Sequence, residues 1–238
     1  MAQPGTLYLI PAPLGEEGDI SSVIPEQVRR IAAALDTFVV EHPKTARQVL
    51  KRLGTQIPLQ QIQLVVLDKD TPPEQLARLL QPLLAGKNVG LMSEAGCPAV
   101  ADPGALLVRL AHDKGIPVAP LVGPSSILLA LMASGLNGQR FAFHGYLPVD
   151  KTERRKKLAE LEQESRTRDQ TQIFIETPYR NRQLAEDILA ACARNTSVCI
   201  AADLTQPGEF VKTRKVGEWG KNLPDLNKRP AIFLLYAA

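Results

Sequence analysis

Between residues 6 and 121 the chain alternates short apolar runs with stretches whose apolar residues recur every three to four positions. TLYLIPAP (6–13), DTFVVE (36–41), LVVLDK (64–69), NVGLMS (88–93) and IPVAPL (116–121) read as buried strands. A segment beginning near Pro25, then KTARQVLKRL (44–53), PEQLARLLQPLL (73–84) and ALLVRLAHDKG (105–115), read as the helices between them, with Gly54, Gly86 and Gly115 as stops. Short apolar runs separated by helices of roughly ten residues are the pattern of βαβ units and predict a parallel sheet.

Beyond Gly123 the texture changes. SSILLALMAS (125–134) reads as a buried helix starting at a Pro-Ser junction, RFAFHGYL (140–147) as a strand, and DKTERRKKLAELEQESRTRD (150–169) as a polar helix with few core positions. TQIFIET (171–177), SVCIAAD (197–203), EFVKTRKV (209–216) and AIFLLYA (231–237) read as strands, with NRQLAEDILAACA (181–193) the one clear helix among them. The expected fold class is therefore α/β, with two α/β domains. Residues 1–120 carry a mostly parallel sheet and residues 121–238 a mixed one.

A net charge of +3, from 28 basic and 25 acidic side chains, is too mild to imply a nucleic-acid partner and does not exclude one. No apolar run approaches the ~20 residues that span a bilayer. The apolar stretch near the N-terminus follows no basic residue and reads as a strand, not a secretory signal. Cys97, Cys192 and Cys199 are an odd number without CxxC spacing, which speaks against disulfides and structural zinc and for a cytoplasmic location.

Ligands of open α/β sheets collect at the carboxyl ends of strands. Five turns of small or polar residues fall there: LGEEGD, EHPKT, SEAGCPAVADPG, GPSS and ETPYR. SEAGCPAVADPG (93–104) has neither helical nor strand spacing, and its two prolines and two glycines suit a backbone that approaches a ligand closely. No GxGxxG follows the first strand, and GxxxxGK[ST], GxSxG and HExxH are missing, which removes the NAD, P-loop, serine-hydrolase and zincin readings. Glu41, Glu94, Asp102 and Glu176 stand at or just past strand ends. They are either caps and surface charges or, together, a source of general base or counter-charge. The GPSS turn offers backbone N–H groups and hydroxyls to a ligand. KTERRKK (151–157), extended by Arg166, Arg168, Arg180 and Arg182, is either a solvated helix face or a phosphate-contacting patch.

The series LYLIPAPLGEEGDI, VVEHPKTAR, SEAGCPAVADPG, PLVGPSS, FHGYLP and IFIETPYR resembles, in order and spacing, the tetrapyrrole methylase superfamily, from Leu7 to about Thr205. Within it the chain looks most like the branch of small-subunit ribosomal RNA ribose 2'-O-methyltransferases. That resemblance implies a two-domain α/β enzyme, a homodimer with no membrane attachment and no obligate protein partner. It also implies S-adenosylmethionine bound in the cleft between domains, S-adenosylhomocysteine as product, and no metal. The cofactor positions it implies are Leu14 in the first loop; Ser93, Glu94, Ala95 and Pro98 in the central one; and Ser126 and Ile127 after the GPS turn. Glu176, Leu204, and Pro230 with Ala231 beside the adenine complete the set. A hydroxyl acceptor benefits from a base, for which Glu41 is the first candidate and Glu94 the second. His42, Lys44 and Arg47, with Lys156 and Lys157, are the candidate substrate contacts.

The chain departs from the ribosomal branch at one motif. That branch reads EDTRHTR after its second strand, whereas this chain has EHPKTAR, with His42 in place of Asp, Pro43 of Thr and Lys44 of Arg. It also stops at Ala238 where the ribosomal enzymes carry a further segment, so the expectation is that a ribosome-contacting surface is missing. Three readings stand: a methyltransferase acting on a ribose hydroxyl of RNA; one acting on a small molecule such as a tetrapyrrole; and a cofactor-binding module without catalysis. An aromatic content of 5% makes a stacking-rich tetrapyrrole pocket less obvious.

Overall fold

The computed structural model of the protein describes residues 3–68 and 70–238. The chain divides into two compact units between Ser125 and Ser126, inside the GPSS turn, five residues beyond the division read from sequence. In the first unit, β1 (Leu7–Ile10), β2 (Thr37–Val40), β3 (Gln63–Val66), β4 (Val89–Met92) and β5 (Val118–Pro120) form one sheet in the order β3-β2-β4-β1-β5. Every pairing in it is parallel. Lys69, at the end of the third predicted strand, lies outside the described residues.

Helices α1 (Glu26–Ala33) and α2 (Pro43–Leu53) cover one face, burying Val28, Ala32, Val49 and Leu50 against Ile10, Phe38 and Val40. On the other face α3 (Pro73–Leu79), α4 (Gln81–Leu84) and α5 (Ala105–Asp113) bury Leu76, Leu83 and Leu107 against Leu7, Val39 and Leu91. The single helix expected over 73–84 breaks at Leu80. Pro82 has no N–H to donate and its ring crowds the preceding turn, so the helical ladder cannot run through it.

The second unit holds β6 (Phe141–Tyr146), β7 (Thr171–Ile175), β8 (Ser197–Ala202), β9 (Phe210–Lys215) and β10 (Ala231–Tyr236) in the order β6-β7-β10-β8-β9. Only β6 and β7 pair in parallel; the other three pairings are antiparallel. Helices α7 (Lys151–Arg168), α8 (Asn181–Ala191) and the short α9 (Val216–Trp219), which the sequence pattern does not announce, share one core with Phe174, Ile200 and Phe233. Phe174 and Phe233 stack with centroids 6.2 Å apart. Helix α6 (Ser126–Ser134) lies along β8–β10, and Thr213 Oγ1 donates to the Ser134 carbonyl at 2.7 Å.

Helix α7 corrects the expectation of few core positions. It buries Leu158 and Leu161, and also Arg154, Glu162 and Ser165. The polar three are tolerated because each is satisfied. Arg154 bonds Asp187, Glu162 accepts from Ala193 N and the Thr196 hydroxyl, and Ser165 Oγ accepts from Ala237 N.

Candidate active site

The connection after β1 leads to α1 on one face of the first sheet, while the connection after its neighbour β4 leads to α5 on the other. Adjacent parallel strands whose connections diverge leave a crevice outside their carboxyl ends, the usual ligand position in such sheets. SEAGCPAVADPG borders that crevice. Its Gly96 exchanges both backbone hydrogen bonds with Ala12 of the first loop, at 2.9 and 3.0 Å. Cys97 Sγ contacts the Pro124 carbonyl. A Cβ on Gly123 would stand 2.2 Å from Pro11, so only glycine lets the GPSS turn pack on the first loop.

Leu14, Ser93, Glu94, Ala95 and Pro98 therefore lie on the two loops flanking the switch point, with Ser93 and Pro98 buried. Glu41 and His42 follow β2 at the same end of the sheet, and His42 takes the N-cap position of α2. Glu94 accepts from Thr45 Oγ1 at 3.1 Å, which ties the central loop to α2. Beside them opens a cavity of about 600 Å³ lined by Leu14, Gly15, Thr45, Gln48, Lys51 and Ala95, among others. Arg52 holds its rim by donating to the carbonyls of Gly15 and Gly18.

The electrostatics single out Glu41. Burial pushes its carboxyl above the ordinary value, and the negative charges of Asp102 and Glu94 push in the same direction. Asp102 is also raised, chiefly by burial, with the adjacent Ser93 hydroxyl pulling the other way. A carboxylate held in a partly desolvated acidic group is a stronger base than a free one. Burial also pushes up all three thiols, Cys192 to about 12, so none offers a thiolate. Among the described residues no group of three or more His, Cys, Asp and Glu side chains is placed to hold a metal, and no helix is long and apolar enough to cross a membrane.

In the second unit the ends of β7 and β8 meet the start of β10, because β10 runs antiparallel between them. Glu176, Leu204, Pro230 and Ala231 converge there. Glu176 is buried and accepts from Thr177 N at 2.6 Å and Arg180 Nη2 at 2.7 Å. Arg229 bonds Asp203 and the carbonyls of Gly208 and Asp225, clasping the loop after β8 to the approach of β10. Sequence reasoning misses this clasp, since nothing in the spacing of residues 203 and 229 announces it. Ser126 and Ile127 occupy the first turn of α6, half-buried. Of the α7 candidates, Lys156 is exposed and Lys157 pairs with Glu160 at 3.5 Å.

Strain and unsatisfied groups concentrate in these loops. Among the described residues six non-glycine residues have positive φ, and five of them are Ala99, Ala101, Asp203, Thr205 and Lys228. Such residues cost about 1–3 kcal/mol each and persist where the surroundings impose them, often at ligand sites. Among the described residues, Arg180 Nε, Asn181 Oδ1 and Thr205 Oγ1 are buried polar atoms without a hydrogen-bond partner, and all three lie beside the ends of β7 and β8 in the second unit. In the second unit these atoms are places where the polar groups of a bound ligand would supply the missing partners.

Residues 6–219 match the family model described as Tetrapyrrole (Corrin/Porphyrin) Methylases. The chain belongs to this family. With it, the chain belongs to the S-adenosylmethionine-dependent methyltransferases. This methyltransferase is similar to the Ribosomal RNA small subunit methyltransferase I of Xylella fastidiosa (strain Temecula1), being 35% identical over 211 residues that cover 89% of this chain and 72% of that one. The protein of the same name from Escherichia coli O157:H7 is 33% identical over 234 residues, covering 97% and 77%. Among solved structures it is similar in fold to diphthine synthase, with TM-score 0.69 at 18% identity over 98% of this chain and 90% of that one. It is likewise similar to the methyltransferase CobJ, with TM-score 0.63 at 18% identity over 100% and 95%.

Proposed function

We propose that this methyltransferase methylates a ribose hydroxyl of small-subunit ribosomal RNA, acting as a cytoplasmic homodimer and without a metal. The observation that carries the reading is sequence identity of 33–35% over 89–97% of the chain with relatives named for that RNA. S-adenosylmethionine supplies an electrophilic methyl on a positively charged sulfur. In this reading Leu14, Ser93, Glu94, Ala95 and Pro98 in the first unit, and Ser126, Ile127, Glu176, Leu204, Pro230 and Ala231 in the second, hold the cofactor. Glu41 takes the proton of the acceptor hydroxyl as the oxygen–methyl bond forms and the sulfur–methyl bond breaks. The protein's further task is alignment, with the acceptor oxygen held ~3–3.5 Å from the methyl carbon. His42, Lys44 and Arg47 face the acceptor from the start of α2.

The test is transfer of radiolabelled methyl from S-adenosylmethionine into small-subunit ribosomal RNA, measured against a pool of small molecules that includes uroporphyrinogen. Label in the RNA, mapping to a ribose, is the expected outcome. Label confined to the small molecules overturns the acceptor, and cofactor binding with label in neither pool overturns catalysis. Light scattering of the purified protein is expected to give twice the 25.9 kDa chain mass.

A further inference from the structure

We infer that the exposed stripe of α2 formed by Lys44, Arg47 and Lys51 is the phosphate-binding track for the RNA, and that α7, despite its denser basic run, is not. The inference rests on the RNA reading above and adds where the backbone is held.

At 100° per residue the three side chains fall within about 60° of one another, rising about 4.5 and 6 Å along the axis. Ala46, Val49, Leu50 and Leu53 occupy the opposite, buried face. The three cations are exposed and, among the described residues, enter no ion pair. No acidic residue occurs anywhere on α2. Helix stability does not explain them all. Lys51 in the last turn complements the helix dipole, but Lys44 in the first turn opposes it. Arg52 is excluded from the track because the carbonyls of Gly15 and Gly18 occupy its guanidinium.

The position of the stripe gives it a purpose. It borders the cavity of about 600 Å³ that Leu14, Thr45, Gln48 and Ala95 line, a size within the range of small-ligand sites. It starts three residues after Glu41, the proposed base. RNA lying on α2 therefore presents its phosphates to free cations while one nucleotide reaches the loops beside Glu41. On α7, by contrast, Arg154 and Arg155 bond Asp187, while Lys157 and Arg168 lie near Glu160 and Glu164. Its cations without an ion pair among the described residues, Lys151, Lys156 and Arg166, spread over about 140° of the helix and form no single stripe.

The test is binding of purified small-subunit ribosomal RNA across a salt series, by wild type and by the triple variant Lys44→Gln, Arg47→Gln, Lys51→Gln. Gln keeps helix propensity close to that of Lys and Arg. Each phosphate contact on single-stranded RNA contributes about 0.7 to the slope of log affinity against log salt. The triple variant is expected to lose about 2 from that slope, with unchanged S-adenosylmethionine affinity by calorimetry. Arg47→Gln alone is expected to lose about 0.7, which keeps the inference testable if the triple variant does not fold. Wild-type binding with a slope that neither variant changes overturns the α2 track and leaves the RNA reading standing. Absence of wild-type RNA binding at low salt overturns both.

Discussion

Helices α2 and α7 are both rich in cations, and they use them in opposite ways. In α7 glutamates flank the basic residues on both sides, so Lys157 and Arg168 find carboxylates three and four positions away on their own helix. Arg154 is drawn inside, where it bonds Asp187 through Nε and Nη2 and the carbonyls of Pro148 and Val149 through Nη1. Helix α2 offers its cations no such partners. A basic run therefore says little until the acids within reach are counted. By that count the shorter and less conspicuous helix is the one whose unpaired cations share a single face, whereas those of α7, Lys151, Lys156 and Arg166, are scattered around it.

The largest effect is expected where α2 meets β2. Glu41→Gln keeps the shape of the side chain and removes the proton acceptor, so turnover should fall 10²–10⁴-fold, the usual contribution of a general base. Single-turnover label transfer, with cofactor affinity measured in parallel, checks it. Full turnover with intact cofactor binding removes Glu41 from the role and passes it to Glu94.

Next comes the buried cation of α7. Asp187→Asn leaves Arg154 buried with no counter-charge, and breaking a buried pair from one side costs about 3–5 kcal/mol. Urea unfolding should show that loss. Burial alone would raise Asp187, yet hydrogen bonds and charge from Arg154 and Arg155 outweigh it, so its carboxyl sits below the ordinary range. Its contribution is present above the unfolded pKa and disappears as pH falls through the lowered folded value. Wild type should therefore lose stability on acidification more steeply than Asp187→Asn. Parallel acid limbs would show that the pair does not govern the fold.

The β-α alternation, the two sheets and the position of the central loop are legible in the sequence, because each rests on local periodicity and on turn residues that permit only a few backbone shapes. The two-unit division is legible in the change of texture after Gly123. What escapes is long-range. Pairing between residues 154 and 187, or 203 and 229, depends on which helices and loops the topology brings together, and no spacing rule encodes that. The polar core of α7 hides for the same reason, since a buried Arg and Glu look solvated until their partners are known. The acid-free surface of KTARQVLKRL is present in the one-dimensional sequence, but the density of KTERRKK draws attention away from it. Counting carboxylates within four positions of each cation separates the two, with Glu41 beside Lys44 the one such acid near the α2 stripe.

A smaller effect should appear in the pH profile. A base must be ionised to act, so kcat/KM falls as pH drops through the raised pKa of Glu41, at higher pH than an ordinary glutamate near 4.3 would give. Asp102 contributes to that rise through its negative charge. Asp102→Asn removes the charge, lowers the Glu41 pKa and moves the acid limb to lower pH. A limb that stays in place means that the titrating group is not Glu41.

The smallest effect, and the sharpest contrast with α2, is expected on the exposed side of α7. Lys156 makes no ion pair among the described residues, and the Lys157–Glu160 pair at 3.5 Å is a half-exposed surface bridge of at most about 0.5 kcal/mol. The double variant Lys156→Gln, Lys157→Gln should stay within about 0.5 kcal/mol of wild type in unfolding free energy. Its salt slope for RNA binding should match wild type, while the α2 variant's does not. A slope reduced by about 1.4 in this variant would mean that both lysines meet phosphate. The RNA would then run along α7 as well, and the asymmetry between the two basic helices would be one of stability alone.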